Sequence, residues 1–388
     1  MNWQPSLLLK IAPRCIMSRS YVSGLESSKL QIVTCCPSQL KSKPRLNQLS
    51  FGKIFTDHML SVSWNHHTGW TSPLIKPLEN LSIHPGSKVL HYAQEIFEGL
   101  KAFRGIDDKI RLFRPLHNME RMNLSAKRSK LPNFHGTELL QCIRRLLEIE
   151  QEWVPHFPGS SLYIRPTLIG TEPALGVNPS NEAKLYVLLC PVGPYFNSVE
   201  EGVNLLADSR FTRSYPGGCG FAKMGCNYAP TLWTQSIASS HNCAQNLWLF
   251  GEDHEITEVG AMNIFIYLIN RKTGLKELVT PSLEKGLILP GVVRRSIIEL
   301  SQEIFKNEFV MSEKSINMNE LLEALKEERL IEIFGAGTAA TICPIKGIHY
   351  DGVMHKIPFE NPEKVSNSIA RHGVGIFVYF LDLIAAHS

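Results

Sequence analysis

Lys223 has the surroundings most suggestive of chemistry in this 388-residue chain. It is the only cation in segment 217–228, where its neighbours are mostly glycines, other small residues and aromatic residues. A partly desolvated lysine has its charged form disfavoured and its amine made nucleophilic, as a lysine that forms an imine with a carbonyl compound requires. An ordinary loop lysine near glycines is the competing interpretation, and the segment alone does not exclude it.

Several other segments contain groups that could act with such a lysine. Glu258 lies among apolar strand residues, so it is either at a strand end in water or buried beside a cation. Segment 289–293 predicts a helix start with free N–H groups, and segment 335–340 offers glycine backbone and the Thr338 hydroxyl; both are candidate phosphate sites. Arg121 alone resembles a helix-surface arginine. Pyridoxal phosphate requires a lysine, a carboxylate and phosphate donors of this kind.

Segment 335–340 also has the G-x-G-x-x-A spacing of a dinucleotide-binding turn, and it follows the strand-like residues 330–334. Such a turn must open a helix. Residues 341–344 read Thr-Ile-Cys-Pro, which contains β-branched residues and ends in proline. The sequence therefore argues against a dinucleotide site.

The elements that would position these residues mix helices and strands without strict alternation, which predicts an α+β fold. Thr137 precedes an amphipathic helix, and the apolar run 185–190 predicts a buried strand that ends at Pro191. Asn317 and Glu320 form a predicted capping box. Further strands are predicted at 203–206, 245–250, 262–269 and 275–279, the last two as a hairpin, and Pro290 and Gly291 are predicted to open a helix.

The composition excludes several classes of function. The net charge is +4, from 40 basic and 36 acidic residues, and no dense basic stripe indicates a nucleic-acid partner. The nine cysteines are scattered without a C-x-x-C, so neither a metal site nor a disulfide framework is predicted. The run 7–9 and the interrupted apolar tail 371–381 are too short for a membrane span.

The N-terminus has the pattern of a mitochondrial transit peptide. No acidic residue occurs before Glu26, whereas Lys10, Arg14 and Arg19 punctuate an apolar, serine-containing stretch. We therefore expect a mitochondrial matrix protein, or a cytoplasmic one if this segment is not a transit peptide.

The sequence from about residue 51 to about residue 366 resembles the branched-chain amino acid aminotransferases of the animal type, which are fold-type IV pyridoxal-phosphate enzymes. The matching segments include Phe-Glu-Gly at 97–99, Ser-Leu-Tyr-Ile-Arg-Pro at 161–166, Gly-Thr-Glu-Pro at 170–173, Gly-Pro-Tyr-Phe at 193–196, Lys-Met-Gly at 223–225, Thr-Glu-Val-Gly at 257–260, Leu-Pro-Gly-Val-Val-Arg at 289–294 and Gly-Ala-Gly-Thr-Ala at 335–339.

This resemblance implies a domain organisation. Residues 1–50 would be a transit peptide and tether, 51–195 a small α+β domain, 196–206 an interdomain loop, and 207–388 a large cofactor-binding domain. The apolar C-terminal tail departs from the family's ending, and two interpretations are open: it packs on the large domain, or it reflects an altered transcript.

The resemblance also implies roles at the cofactor. Lys223 would hold pyridoxal 5'-phosphate covalently and move the substrate proton, Glu258 would pair with the ring nitrogen, and Tyr228 would bond the ring hydroxyl. The remaining cofactor residues would be Arg121, Val292, Val293 and Thr338, which would hold the phosphate, and Arg213, which would shape the wall of the cofactor site.

For the substrate, the family pattern places aromatic side chains around an apolar pocket, with a cation and a backbone N–H to orient the carboxylate. In this chain these positions are Tyr92, Phe97, Tyr163, Arg165, Tyr195 and Ala339.

The activity implied is reversible, ping-pong transamination between leucine, isoleucine or valine and 2-oxoglutarate, which gives branched-chain 2-oxo acids and glutamate, in a homodimer. Two alternatives remain open. One is another fold-type IV activity, such as D-amino acid transamination or a lyase. The other is a catalytically weakened binding protein on this fold.

Departures from the family pattern make the second alternative less remote, although the retention of Lys223, Glu258, Tyr228 and Arg121 argues against it. Cys226 and Ala229 replace glycines, and each would add strain of about 1 kcal/mol if its φ were positive. Ala261 replaces a threonine that would contact the substrate carboxylate. Ala340 replaces the first cysteine of the family's redox C-x-x-C and leaves Cys343 alone, so that bridge cannot form. A bridge between Cys343 and Cys226 would have to join two separate loops, so we expect activity to be largely insensitive to mild peroxide.

Overall fold

The computed structural model describes residues 24–157, 159–193, 202–339, 341–358 and 364–369, together with the backbone of 381–383. The fold is α+β and is built on two large sheets, one from each half of the chain.

The first sheet is antiparallel apart from its β1–β4 edge, and its strand order is β1-β4-β2-β9-β8-β6-β7, with β3 beside β2 and β5 beside β8. Its strands are β1 Gln31–Ile32, β2 His58–Asn65, β3 Gly69–Trp70, β4 Leu74–Pro77, β5 Glu95–Phe97, β6 Leu100–Arg104, β7 Ile110–Phe113, β8 Ser161–Gly170 and β9 Glu182–Val192. Helices α2 (Pro115–Ser129) and α3 (Gly136–Ile149) bury their apolar faces with this sheet in one core, and the short α1 spans Lys88–Tyr92.

The second sheet closes on itself. Its strands are β10 Val203–Ala207, β11 Gln245–Phe250, β12 Glu255–Val259, β13 Met262–Ile269, β14 Lys276–Thr280, β15 Val310–Glu313, β16 Leu330–Gly337, β17 Thr341–Tyr350 and β18 Val353–Lys356. Their order is β12-β11-β10-β17-β16-β13-β14-β15, and an additional β12–β13 pairing joins six of them in a ring.

Three helices accompany the second sheet: α4 Thr231–Ser240, α5 Val292–Glu303 and α6 Met318–Lys326. Helix α6 contributes to the core that contains the ring strands, whereas α5 packs with aromatic residues of β13 and β16 in a separate core.

Most of the predicted local elements are confirmed. The strands predicted at 245–250 and 262–269 have the observed bounds, and β13 forms the expected hairpin with β14. Asn317 and Glu320 make both hydrogen bonds of the capping box that begins α6. Thr341 begins strand β17 and not a helix, which confirms the argument against a dinucleotide site.

Three boundaries differ from the sequence predictions. Helix α3 begins at Gly136 with His135 as its N-cap, so Thr137 lies inside the helix. Strand β9 continues through Pro191. This residue lies opposite Leu162 of β8 in the sheet, although proline has no N–H to donate. Helix α5 begins at Val292 after the N-cap Gly291, so Pro290 precedes the cap.

The segments outside the two predicted domains also differ from expectation. Residues 24–50 pack on the first half of the chain: β1 pairs with β4, Leu25 is buried, and the Ser27 hydroxyl donates to Glu138 at 2.7 Å. Strand β10 begins inside the predicted interdomain loop. In the tail, β19 (Leu381–Leu383) pairs with β7 of the first sheet, not with the second half. The division into domains stays a prediction.

Two other structural features are absent from the described residues. No helix among them combines the length and apolarity needed to cross a bilayer. No group of three or more His, Cys, Asp or Glu residues in these segments could hold a metal ion.

Candidate active site

A cavity of about 280 Å³ lies between the two halves of the chain. Eleven of the predicted site residues line it: Phe97, Arg121, Tyr163, Arg165, Lys223, Tyr228, Glu258, Val292, Val293, Thr338 and Ala339. Among the lining residues, three cations face one carboxylate, so the cavity has excess positive charge. A ligand with anionic groups would balance it.

The backbone of Lys223 is held from the first half of the chain. Its N–H donates to the Ser125 hydroxyl at 2.8 Å, and its carbonyl accepts from the Phe97 N–H at 3.1 Å. Met224 forms an isolated bridge with Ile96 of β5. The loop that carries the lysine is therefore attached to a helix and a strand.

The amine of Lys223 lies against aromatic rings. Nζ is 4.8 Å from the centre of the Phe97 ring and donates to the Tyr228 hydroxyl at 3.2 Å. These two rings lie 5.0 Å apart, centre to centre. The amine of Lys223 therefore lies between an aromatic ring face and a hydroxyl group.

Glu258 is the buried carboxylate of the cavity, at the end of β12. Its Oε1 accepts from the Asn263 amide and from the Leu289 N–H, both at 3.1 Å. Its Oε2 lies 2.8 Å from Arg213 Nη1 but accepts no hydrogen bond from any residue in the described part of the chain. Burial raises the pKa of Glu258, and the Arg213 charge opposes that shift. One oxygen is therefore available to a further donor.

The opposite end of the cavity can bind an anion. Gly291, Val292 and Val293 line it at the start of α5, and the N-cap Gly291 provides no side-chain hydrogen bond. The first N–H groups of a helix lack intrahelical partners and attract negative charge. Thr338 lies at the same cavity, as the sequence predicted, and Arg121 adds a positive charge.

Arg121 is anchored by a buried ion pair. Its Nε and Nη2 donate to the two oxygens of Glu98 at 2.7 and 2.8 Å, and its Nη1 donates to the Pro290 carbonyl at 3.1 Å. Asn118 also donates to Glu98. Despite burial, the Arg121 guanidinium holds the pKa of Glu98 below its usual range.

Arg165 lies among the aromatic residues predicted for the substrate. Its guanidinium is 4.8 Å from the centre of the Phe97 ring and 5.1 Å from that of Tyr163, and its Nη2 donates to the Tyr163 hydroxyl at 3.0 Å. Its buried Nε has no hydrogen-bond partner among the described residues. A substrate carboxylate could accept from this nitrogen.

Two predicted site residues are not brought into the cavity, and the position of a third is not described. Arg213 lies behind Glu258 as its ion-pair partner and does not line the cavity. Tyr92 is 40% exposed, and its hydroxyl donates to the Leu175 carbonyl outside the cavity. Tyr195 lies outside the described residues.

Four residues at the site were not singled out from the sequence: Glu98, Ser125, Asn263 and Lys101. The signal that selected Glu258, a carboxylate among apolar strand residues, also applies to Glu98. Lys101 Nζ donates to the Ala339 carbonyl at 2.7 Å, and burial lowers its pKa to about 8. Nothing local distinguishes Ser125 or Asn263 from ordinary helix and strand residues.

The replaced glycines carry no backbone strain. Neither Cys226 nor Ala229 is among the residues with positive φ. At Gly225 a Cβ would lie 1.9 Å from Glu95 Oε1, so a side chain there would require Glu95 to move. Cys343 is buried, and its thiol has a pKa raised to about 12 by burial. Cys226 contacts the sulfur of Cys219, not Cys343.

Comparison with known proteins gives the family. The family model for "Amino-transferase class IV" matches residues 95–348. The cytosolic branched-chain-amino-acid aminotransferase of Rattus norvegicus is 54% identical over 332 residues, which cover 85% of this chain and 80% of the rat protein. The chain belongs to the class IV amino-transferases.

Further similarities support this membership. The mitochondrial branched-chain-amino-acid aminotransferase of Rattus norvegicus is 48% identical over 345 residues, 89% of this chain and 86% of that protein. The crystal structure of a branched-chain aminotransferase from Thermoproteus uzoniensis with norvaline matches this amino-transferase with a TM-score of 0.65 at 25% identity, covering 84% of this chain and 99% of that one.

The Glu98–Arg121 pair predicts a large effect of Glu98→Gln on stability. The amide keeps the shape but leaves the buried Arg121 without its counter-charge, which typically costs about 3–5 kcal/mol. Because the folded pKa of Glu98 is lowered, the contribution of this pair is complete at neutral pH. It is lost as the pH falls below 4.5 through the folded pKa. Chemical unfolding of both proteins at pH 7 measures the difference.

Glu323→Gln is the matched control for this variant, since the pair of Glu323 with Arg271 is exposed. Its free energy of unfolding should change by less than about 1 kcal/mol. Equal destabilisation by both variants would contradict the importance of the buried pair.

Proposed function

We propose that this protein transfers an amino group reversibly between leucine, isoleucine or valine and 2-oxoglutarate, in a ping-pong reaction. The proposal rests on one observation: the Lys223 amine, the Glu258 carboxylate and the N-terminus of α5 face a single cavity in a class IV amino-transferase. The relatives named above are branched-chain-amino-acid aminotransferases.

Class IV amino-transferases use pyridoxal 5'-phosphate. When bound, this cofactor supplies a carbonyl carbon that combines with amines and a protonated ring that withdraws electrons from the substrate. The residues fit such a group. An oxygen of the buried Glu258 without a hydrogen bond suits a ring N–H, and the uncapped N-terminus of α5 suits a phosphate.

Lys223 is proposed to bind the cofactor covalently and, once displaced by the substrate amine, to move the proton at the substrate α-carbon. The aromatic faces of Phe97 and Tyr228 border its amine at the cavity, where the substrate would meet it. Because its backbone is fixed by Ser125 and Phe97, only the side chain has to move.

Glu258 is proposed to keep the ring nitrogen protonated. Arg213 and Asn263 hold the carboxylate in place, so its orientation does not depend on the ligand. A carboxylate in this position would hold a proton on the ring nitrogen, and a protonated ring accepts electron density from the substrate better than a neutral one. This residue should therefore act on the rate more than on cofactor binding.

The substrate would bind at the Arg165 end of the cavity. Arg165 Nε and the Ala339 backbone are proposed to orient the carboxylate, while Phe97 and Tyr163 surround the branched side chain. Lys101 fixes the Ala339 carbonyl and hence the loop beside the substrate. An apolar, water-excluding wall with a cation at one end suits a branched-chain amino acid.

A homodimer and a mitochondrial location are also proposed. Leu90, Leu175 and Val177 are large apolar residues that are more than half exposed, and Tyr92 bonds Leu175 beside them. A second copy that covers this surface would bury it, and light scattering would measure the mass of the assembly.

The proposed mitochondrial location rests on the transit-peptide pattern, which lies in residues 1–23, outside the described residues. Both cytosolic and mitochondrial relatives are similar to this chain.

The assignment of Lys223 is tested by labelling. The purified protein with pyridoxal phosphate should show visible absorption that changes when leucine is added. Borohydride should then attach the cofactor to the peptide that contains Lys223. Lys101 is an internal control, because its lowered pKa also makes it a candidate nucleophile near the cavity. Label on Lys101, or on neither lysine, would refute the assignment.

Glu258→Gln should retain the cofactor but reduce kcat by roughly 10²-fold or more, because the transition state loses more stabilisation than the ground state. Steady-state kinetics with leucine and 2-oxoglutarate measure kcat, and dialysis measures cofactor retention. Glu277→Gln removes another buried carboxylate that lies outside the cavity, so its kcat should stay near wild type. A near-normal kcat for Glu258→Gln would show that another group protonates the ring.

Ala261 lines the cavity where the family pattern has threonine. A hydroxyl that donates to the substrate carboxylate would contribute about 1.5–3 kcal/mol. We therefore expect Ala261→Thr to raise kcat/KM for branched-chain amino acids roughly tenfold or more. Ala261→Val has the same shape without the hydroxyl and should bring no gain. Equal effects of the two variants would mean that the added hydroxyl plays no part.

A further inference from the structure

Two thiols lie on either side of Lys223 in the sequence and contact each other in space. Cys219 Sγ and Cys226 Sγ are 3.8 Å apart. Both side chains are partly exposed. The segment between them contains the lysine whose amine faces the cavity.

The loop holds these sulfurs together through Asn227, which is buried. The Asn227 side chain donates to the carbonyls of Cys219 and Ala222, both at 2.8 Å, and its Oδ1 accepts from the Cys219 thiol at 2.9 Å. A single 3₁₀ turn, Gly225–Asn227, carries Cys226. The proximity of the thiols therefore follows from the hydrogen bonds of the loop.

We propose that Cys219 and Cys226 form a reversible dithiol–disulfide site that closes the loop around Lys223, with a low-molecular-weight disulfide as the oxidant. The thiolate of one cysteine attacks the small disulfide, forms a mixed disulfide and releases one small thiolate. The second cysteine then attacks the protein-bound sulfur and displaces the other. Each cysteine proton ends on a released thiol, so two protein thiols become one disulfide and one small disulfide becomes two thiols.

This site should react slowly at neutral pH. Burial, and then the neighbouring Cys219 sulfur, raise the pKa of Cys226 to about 11, so little of it is thiolate at pH 7. A brief exposure to peroxide should therefore leave the pair reduced. Prolonged equilibration with a small disulfide should oxidise it.

Closure of the bond should disturb the catalytic loop. The sulfurs of a disulfide lie about 2.0 Å apart, so the 3.8 Å contact must shorten. Cys226 is two residues from Tyr228, whose hydroxyl accepts from Lys223 Nζ at 3.2 Å. Since misplacement by about 1 Å can cost about 10²-fold in rate, we expect the disulfide to lower kcat at least roughly tenfold, and dithiothreitol to restore it.

The experiment equilibrates the cofactor-loaded protein in glutathione buffers of increasing oxidised fraction, traps free thiols by alkylation in acid, and maps the peptides. The expected result is the joint loss of two free thiols and a cross-linked peptide pair containing Cys219 and Cys226. Cys219→Ser and Cys226→Ser should lack the cross-link and keep their activity through the treatment. Cys243→Ser, which removes a buried thiol elsewhere, should behave like wild type.

The proposed site is overturned if both thiols remain alkylatable in the most oxidising buffer, or if they carry only mixed disulfides or pair with other cysteines. A cross-link without loss of kcat would overturn its effect on catalysis. The peptide map needs no transaminase activity, so its outcome is separate from that of the proposed function.

Discussion

The hydrogen bond between the Lys223 N–H and the Ser125 hydroxyl is the contact on which the geometry of the site depends. The same hydroxyl donates to the Arg121 carbonyl at 3.0 Å, so one side chain connects the lysine loop to the helix that carries the buried arginine. Loops are usually the mobile parts of a fold. Here a helix and a strand of the first sheet hold a loop of the second half, which leaves the lysine side chain as the moving part.

The electrostatics of the site follow from pairs of buried charges. Glu98 neutralises Arg121, and Arg213 partly offsets the cost of burying Glu258. These pairs are expensive to bury, but each orients a group that faces the cavity. Among the described residues that line the cavity, Glu258 is the only carboxylate, so no second one balances the charges of Arg165 and Lys223. The excess of positive charge therefore lies at Arg165 and Lys223, and the substrate carboxylate is proposed to bind at the Arg165 end.

The departures from the family pattern around Lys223 have different consequences. Cys226 and Ala229 fit an ordinary backbone, so they provide no physical reason for a weakened protein. Ala261 changes the chemistry of the cavity itself, since a methyl group stands where a hydroxyl would face the ligand. Cys226 does more than replace a glycine, because its sulfur meets a second cysteine of the same loop.

The sequence by itself determined the features that depend on neighbouring residues. Apolar patterning was enough for β11 and β13, and a side chain three residues away was enough for the cap of α6. The residue types around Lys223 and Glu258 indicated their chemistry. Only the tertiary structure decided that Glu98 pairs with Arg121, that Arg213 lies behind Glu258, and that Tyr92 lies outside the cavity. These contacts join residues far apart in the chain, and they arise from how the elements pack, which no local pattern encodes.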